Sequence, residues 1–500
     1  MGSDPGKDFR PTLKALNLSR AEERKLVRNL LRSSVVRPAA VLLGALMLAW
    51  PALFNGFPLL YPDSMTYLAD GPTVARAVFL HRFSDYYGVR SFFYSLGILP
   101  FHWNLSAWPI VALQCLLVAW VIWLVVRSIE PRSTAVRYLI LMLFLSALTS
   151  AGWYASFIMP DILGPVLYLA VYLLVFAPDT LSRAERLALY PIAVWSIASH
   201  ATHLLLAAGL CLPIAMVAAL PWRLFDRRPI RQRLWAAGEI ATILAVAAAL
   251  QFALHGYLYG KPSLNGERPP YLTARIIADG PGRWYLQKNC PQANLVLCGH
   301  LQDLSDDPDD FLWDPDGVYA QVSGNEQDQI SKEEMPFVLA TLRAYPAQQF
   351  ARSAANFQQQ LLAFGLYGFD PSPWILSEFS TVLPGARSSY LRSRQARDAL
   401  PLDLLTDIQF LVVIASLGAI VGLVPLLWRR HSPRLAGLSL LIVSTVVVNA
   451  LVAGVLSVVD DRYQCRVIWL IPLLAGLLLL DWLHQRETAR VGATQESASA

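Results

Sequence analysis

In a chain made mostly of apolar residues, a few ionisable and imidazole side chains stand at the edges of the hydrophobic runs. These are the groups that could do chemistry. Asp63 follows the first run in Pro62-Asp63-Ser64-Met65-Thr66-Tyr67-Leu68, with Arg82 and Arg90 later in the same connection. Asp161 opens another run in Met159-Pro160-Asp161, His200 and His203 interrupt a third, and Asp460-Asp461-Arg462-Tyr463 precedes the last. A charge held at membrane depth is costly and by default marks a functional site. Each group also has a plainer use. Asp63 and Asp161, both directly after proline, are equally placed to open helices. His200 and His203, at i and i+3, share a helical face; two imidazoles begin a metal site but also serve as satisfied polar residues. Asp460-Asp461-Arg462 fits a local ion pair at a helix end as well as it fits a site. The acidic run Asp303, Asp306, Asp307, Asp309, Asp310, Asp314 and Asp316 departs from EF-hand spacing and reads as solvated surface.

The elements that must position these groups follow from hydropathy. Hydrophobic residues make up 55% of the chain, charged residues 15%, and mean hydropathy is +0.42. That balance excludes an ordinary soluble globule. Runs long enough to cross ~30 Å of hydrocarbon lie near 38–56, 107–126, 138–157, 161–178, 187–199, 204–220, 235–256, 407–428, 435–456 and 467–484. The fold expected is therefore an all-α polytopic membrane protein of about ten transmembrane helices. The stretch 187–220 reads either as two short helices broken at residues 199–203 or as one bent unit.

Lys and Arg orient the bundle. The arm 1–37 is basic, and threading ten helices puts Arg127, Arg132 and Arg137, Arg183 and Arg186, Arg223 to Arg233, and Arg429, Arg430 and Arg434 on its side. By the positive-inside rule that side is cytoplasmic, which places the chain in the inner (plasma) membrane with both termini cytoplasmic. The net charge of +5 reflects this bias, and no basic patch interleaved with aromatics points to nucleic acid. Residues 19–32 suit either an amphipathic helix on anionic headgroups or a solvated arm. The first apolar run begins too late and is too long for a cleaved leader and reads as an uncleaved anchor. The tail 485–500 reads as cytoplasmic and disordered.

Organisation follows. Residues 38–256 form an N-terminal transmembrane module whose first extracytoplasmic loop, 57–106, holds two apolar patches suited to the membrane interface. Residues 257–406 read as an extracytoplasmic subdomain of mixed structure, with helical periodicity over 334–365, and 407–484 carry the C-terminal transmembrane helices. Cys115 and Cys211 are apolar filling, whereas Cys290 and Cys298, close together in an oxidising compartment, favour a disulfide over a metal site with His300. No internal repeat appears, which counts against a transporter.

These motifs carry a resemblance. Pro62-Asp63-Ser64-Met65-Thr66-Tyr67-Leu68, then Gly88-Val89-Arg90-Ser91-Phe92-Phe93, Met159-Pro160-Asp161 and Asp461-Arg462-Tyr463 together resemble the GT-C superfamily of polyprenyl-phosphate-sugar-dependent glycosyltransferases, including its protein O-mannosyltransferase-like branch. The likeness covers about 36–220 and 407–484 and leaves 257–406 unmatched. It implies a GT-C-like fold and a polyprenyl-phosphate sugar donor at the lipid bilayer. It also implies an extracytoplasmic glycan, lipid or protein acceptor and transfer with inversion. Asp63 would be the general base, while Arg462, Arg90, Arg82, His200 and His203 would hold the phosphate. Asp161, Asp461 and Tyr463 would complete the substrate site. Many relatives carry a second acidic residue beside that first Asp; Ser64 stands there instead, which weakens a bridging metal and leaves a divalent cofactor open. Two other classes stay in view: a transporter or lipid flippase, which needs charges deep in several helices, and an O-antigen ligase- or polymerase-like enzyme, which needs its Arg and His in the large loop.

Overall fold

In the computed structural model, which describes residues 36–84, 88–130, 135–220, 225–264, 268–428 and 432–499, regular structure is helical. Among these residues no strand forms, and the only β pairing is an isolated bridge between Leu59 and Phe157. The basic arm before Val36, including 19–32, lies outside the described residues.

Among the described residues, six helices are long and apolar enough to cross a membrane: Trp108–Ile129, Ala201–Ala219, Ile230–Tyr259, Leu402–Pro425, Pro433–Leu456 and Asp461–Arg486. The other four expected positions also hold helices, but shorter ones. The first is split into Val36–Leu48 and Trp50–Asn55, where Pro51 opens the second piece. The third is split into Ala135–Leu148 and Ala151–Ala155. The fourth begins with a tight Pro160–Ile162 turn before Leu163–Phe176, and the fifth spans Arg183–Ala198. Pro51 and Pro160, which lack a backbone donor, stand at two of these interruptions, whereas the third run breaks at Thr149-Ser150 without a proline. Of the about ten transmembrane helices expected, six among the described residues are thus long and apolar enough to cross a membrane. The stretch 187–220 is two helices, the second capped by His200.

Helix Leu163–Phe176 has all of its residues buried and forms the centre of the bundle. Leu411, Ile414 and Val421 on Leu402–Trp428 are each more than half exposed, an outward apolar face that suits a hydrocarbon surrounding better than water. Partly exposed ion pairs gather the arginine-bearing turns at one end. Arg127 holds Glu185 at 2.7 Å, and Arg434, at the start of Pro433–Leu456, pairs with Asp179 and donates to Ser128 O at 3.0 Å. The far end of that same helix carries Asn449, beside Asp161 and Arg466. The Arg-rich turns and the candidate site therefore occupy opposite ends of the bundle.

The region 257–406 is helical rather than mixed, and it divides. Leu286, Phe311, Ile330 and Phe337 belong to a separate small core. Phe364, Phe369, Phe379 and Tyr390 belong to the main one. The expected helix over 334–365 is broken at Pro346 into Gly324–Ala344 and Pro346–Leu362. The tail expected to be disordered continues the last helix, Leu470–Ser499, because Ala, Glu, Gln and Arg extend a helix already nucleated.

Cys290 and Cys298 are joined by a disulfide with Cα atoms 5.5 Å apart. Replacing both by serine should cost about 2 kcal/mol, the entropy of a short closed loop. The loss should appear as a lower midpoint for unfolding of the small core, and an unchanged midpoint would show the bridge to be energetically idle.

Candidate functional site

The segments bearing Asp63 and Asp161 are not helical just before those residues, so their backbone groups need other partners. They find them in each other and in buried glutamines. Leu59 N donates to Ser156 O at 3.1 Å and Ile158 N donates to Leu59 O at 3.0 Å, which ties the two segments in register. Gln114 Nε2 donates to Ala155 O and Phe157 O at 3.1 and 2.7 Å, and Tyr94 OH donates to Gln114 Oε1. Gln395 grips Leu60 from both sides, accepting from its N at 3.1 Å and donating to its O at 2.7 Å. Asp63 and Asp161 are thus fixed relative to one another before any charge is considered.

Asp63 does not cap its helix. Ser64 does part of that work, its Oγ accepting from Tyr61 N at 2.9 Å, which explains why an acidic residue is not needed there. Asp63 turns instead to the basic groups: its Oδ1 accepts from Arg90 Nη2 at 2.7 Å, and its Oδ2 lies 3.9 Å from Arg462 Nη1. Arg90 reaches this point because Ser91 caps the next helix and donates to Ala198 O at 2.6 Å. Burial works against the Arg90 charge, but Asp63 outweighs it and holds Arg90 firmly cationic.

Arg462 is buried, and its Nε and Nη1 have no hydrogen-bond partner among the described residues. Its guanidinium lies over the Tyr61 ring at 4.2 Å and the Tyr463 ring at 4.9 Å. Arg462 favours the ionised form of Tyr61, yet burial together with Asp460 and Asp63 prevails and pushes that phenol up to about 12, so it stays neutral. The short helix Asp461–Ile468 that carries Arg462 is anchored by Tyr154 OH donating to Arg462 O at 2.9 Å and Ser150 Oγ donating to Cys465 O at 2.7 Å. Asp460 caps it, accepting from Arg462 N at 2.7 Å.

One turn further in, Arg466 is fully buried. It lies 3.5 Å from Asp161 Oδ1, donates to Asn449 Oδ1 at 2.9 Å and to Thr202 Oγ1 at 3.4 Å. Asp161 Oδ2 and His203 Nε2 are buried without partners. His203 Nδ1 pairs with Ser196 O at 2.7 Å, and His200 Nδ1 accepts from Thr202 N at 3.2 Å. The two rings are 5.2 Å apart. Among the described residues no group of three or more His, Cys, Asp or Glu side chains is placed to hold a metal ion. The arrangement is a ladder of two rungs, Arg90–Asp63–Arg462 and Asp161–Arg466, joined through the helix Asp461–Ile468 that carries both Arg462 and Arg466.

Most of the residues singled out from the sequence therefore meet: Asp63, Arg90, Asp161, His200, His203, Arg462 and Tyr463. Two do not. Arg82 is exposed beyond the far end of the 19-residue helix that Asp63 opens, a length of ~28 Å. Asp461 turns away and accepts from Gly365 N at 2.6 Å, serving the backbone rather than the ladder. Sequence reasoning missed Arg466, whose signal was its i, i+4 spacing from Arg462 on one helical face. It also missed Asn449, Tyr61, Tyr271 and Trp313. Tyr271 OH accepts from Arg90 Nη1 at 3.1 Å and the Trp313 ring lies 5.0 Å from that guanidinium, a contact across more than two hundred residues that no local pattern announces.

Chemically, the outer part of the ladder is a carboxylate between two guanidiniums, one of which has donors to spare. That is a site for an anion next to a proton acceptor. Fold and site together define, among the described residues, a helical architecture with six helices apolar enough to cross a membrane and a largely buried acid–arginine ladder at their end. No protein-family model, no curated protein and no solved structure matches the chain.

The inner pair is structural in its own right. Arg466→Met or Asp161→Leu alone should destabilise by about 3–5 kcal/mol by stranding a buried charge. The double variant should regain most of that in thermal unfolding; a double no better than the worse single would mean the pair is not coupled. Asp70 gives a pH dependence. Its Oδ1 accepts from Gly88 N at 3.2 Å, two residues before Arg90, and its Oδ2 has no partner among the described residues. Burial lifts its carboxyl from 3.8 to about 6, against the opposing Gly88 amide. The fold thus prefers the protonated acid, and the wild type loses stability as pH rises from about 4 to about 6. Asp70→Asn should abolish that decline, so its melting-temperature advantage should be absent near pH 4 and full near pH 7.

Proposed function

We propose that the chain is a membrane glycosyltransferase of the GT-C type, moving a sugar from a polyprenyl-phosphate donor to an acceptor hydroxyl on a glycan, lipid or protein. The observation that carries this reading is Asp63 lying between Arg90 and Arg462, with unpartnered donors on Arg462. The donor is a phosphodiester with one negative charge, and its departing polyprenyl phosphate gains a second. Guanidiniums that now lean on Asp63 can turn to that phosphate, where the charge grows as the bond breaks. The same exchange frees Asp63 to accept the proton of the acceptor hydroxyl. The acceptor oxygen then bonds to the anomeric carbon, the carbon–oxygen bond to phosphate breaks, and its electron pair leaves on the phosphate. Attack opposite the leaving group inverts the anomeric centre.

The topology belongs to the same proposal. The shorter apolar helices Val36–Leu48, Ala135–Leu148 and Leu163–Phe176, with Arg183–Ala198, complete ten crossings in bundle positions beside the six long ones. Gathering of the Arg-rich turns at the end opposite the site supports a cytoplasmic side there, with the site and the 257–406 region facing outward across the plasma membrane. Helices Pro62–Leu80 and Phe92–His102 then lie at the outer interface, where exposed Phe79, Phe83 and Trp103 suit the headgroup region. The polyprenyl tail stays in hydrocarbon while its phosphate meets the ladder.

A flippase or transporter draws on one specific observation, the fully buried Asp161–Arg466 pair. Purified protein separates the two. Asp63→Asn should lower transfer from labelled polyprenyl-phosphate sugars by about 10²–10⁴-fold. The same variant should bind bare polyprenyl phosphate at least as tightly as wild type, since a competing carboxylate has gone. Wild-type transfer by Asp63→Asn would remove the proposed base, and lipid scrambling by the wild type without any transfer would favour transport.

A further inference from the structure

The 257–406 region, which the resemblance leaves unmatched, touches the ladder at one place. The helix Pro308–Trp313 presents Asp309 and Trp313 at i and i+4, hence on one face. Trp313 lies against Arg90 at 5.0 Å and is 6.2 Å from the Tyr271 ring, and its side chain is still 42% exposed, so Arg90 covers only part of the indole. The neighbouring acids are committed to local turns and pairs. Asp307 accepts from Asp309 N at 2.8 Å, Asp310 accepts from Ser305 Oγ at 3.1 Å, Asp306 pairs with Arg283 at 2.7 Å, and Asp314 accepts from Asp316 N at 2.8 Å. The Asp309 carboxylate takes part in none of these. It is open to water, within electrostatic reach of other charged groups. Burial pushes it up to about 6, Asp307 and Asp460 add to the rise, and Arg462 and Arg90 oppose it. The same helical face thus touches Arg90 through Trp313, and Asp309 beside it lies within electrostatic reach of Asp460, Arg462 and Arg90.

We propose that Trp313 and Asp309 form a saccharide subsite opposite Asp63, which takes a pyranose ring. The exposed indole offers a flat apolar surface for the C–H face of the sugar, and the carboxylate accepts from its hydroxyls. Few well-placed polar groups beside an aromatic wall is the usual composition of a small-molecule site. Arg90 touches both Asp63 and Trp313, so a sugar on the indole lies beside the base and the phosphate-holding guanidiniums. The 257–406 region then supplies sugar recognition while the bundle supplies the acid–arginine chemistry. This subsite rests on the glycosyl-transfer reading, and either the donor sugar or a sugar on the acceptor could fill it.

The test uses the full chain in detergent, with bare undecaprenyl phosphate and its mannosyl, glucosyl and galactosyl esters as probes, together with the corresponding methyl pyranosides. Trp313→Ala and Asp309→Asn should each weaken binding of the preferred glycosyl ester about tenfold and leave bare undecaprenyl phosphate within twofold. Trp313→Phe should retain most of the wild-type affinity. If the acceptor's sugar is the occupant, ester binding is unchanged and the acceptor KM rises instead, with kcat little altered. Saturation-transfer NMR with a methyl pyranoside should show contact that Trp313→Ala abolishes; this readout needs no turnover, so it stands apart from failure of the transfer reaction itself. Equal loss of the bare phosphate in Trp313→Ala would reduce the indole to a support for Arg90. Folded variants with unchanged ester binding, acceptor KM and saturation transfer would overturn the subsite.

Discussion

A guanidinium removed from water must be met by a carboxylate or by hydrogen-bond acceptors, and the Asp161–Arg466 pair imposes that condition on the whole assembly. Both side chains are essentially fully buried, so each would be ruinous without the other. Satisfying them brings together the turn before Leu163–Phe176, the helix Asp461–Ile468, Asn449 from Pro433–Leu456 and Thr202 from Ala201–Ala219. Arg462 then emerges one turn away from Arg466, on the same face and toward Asp63. The inner pair fixes where the outer pair can be.

Irregular backbone plays the complementary part. The interruptions at 57–61 and 156–159 leave irregular backbone whose amides and carbonyls need partners outside any helix. The bridge between Leu59 and Phe157, with Gln114 and Gln395, satisfies them. The same groups hold the two acids at a fixed separation. Buried glutamines that look incidental in a hydropathy trace are therefore part of the positioning apparatus.

The outer part of the ladder differs from the inner part in having guanidinium donors left over. Arg466 divides its donors between Asp161, Asn449 and Thr202, whereas Arg462 keeps two atoms unpartnered beside a carboxylate it does not fully engage. A ladder whose inner guanidinium has committed its donors, and whose outer one has not, suits a fixed scaffold with an anion site at its outer end. The small core of 257–406 closes over that end through Tyr271 and Trp313, so the two parts of the chain share one site.

Much was legible in the sequence because its cause is local. Hydropathy placed the helices, proline and Ser-His marked their breaks, and Asp63, Arg90, Asp161, the paired histidines and Arg462 stood out as charges beside apolar runs. Helix length was less legible: where Pro51 and Pro160 interrupt a run, composition alone does not say whether the chain bends or stops. Tertiary structure decided the rest. Whether Asp63 caps a helix or meets Arg90 depends on Ser64 taking the cap, and whether Asp461 joins the ladder depends on Gly365 claiming it. Arg466 and Trp313 acquired their places only through contacts across hundreds of residues, and Asn449 through the reversal of the chain that lays Asp461–Ile468 beside it. Periodicity and charge report what a segment can bury; they carry no information about which distant partner arrives to satisfy it.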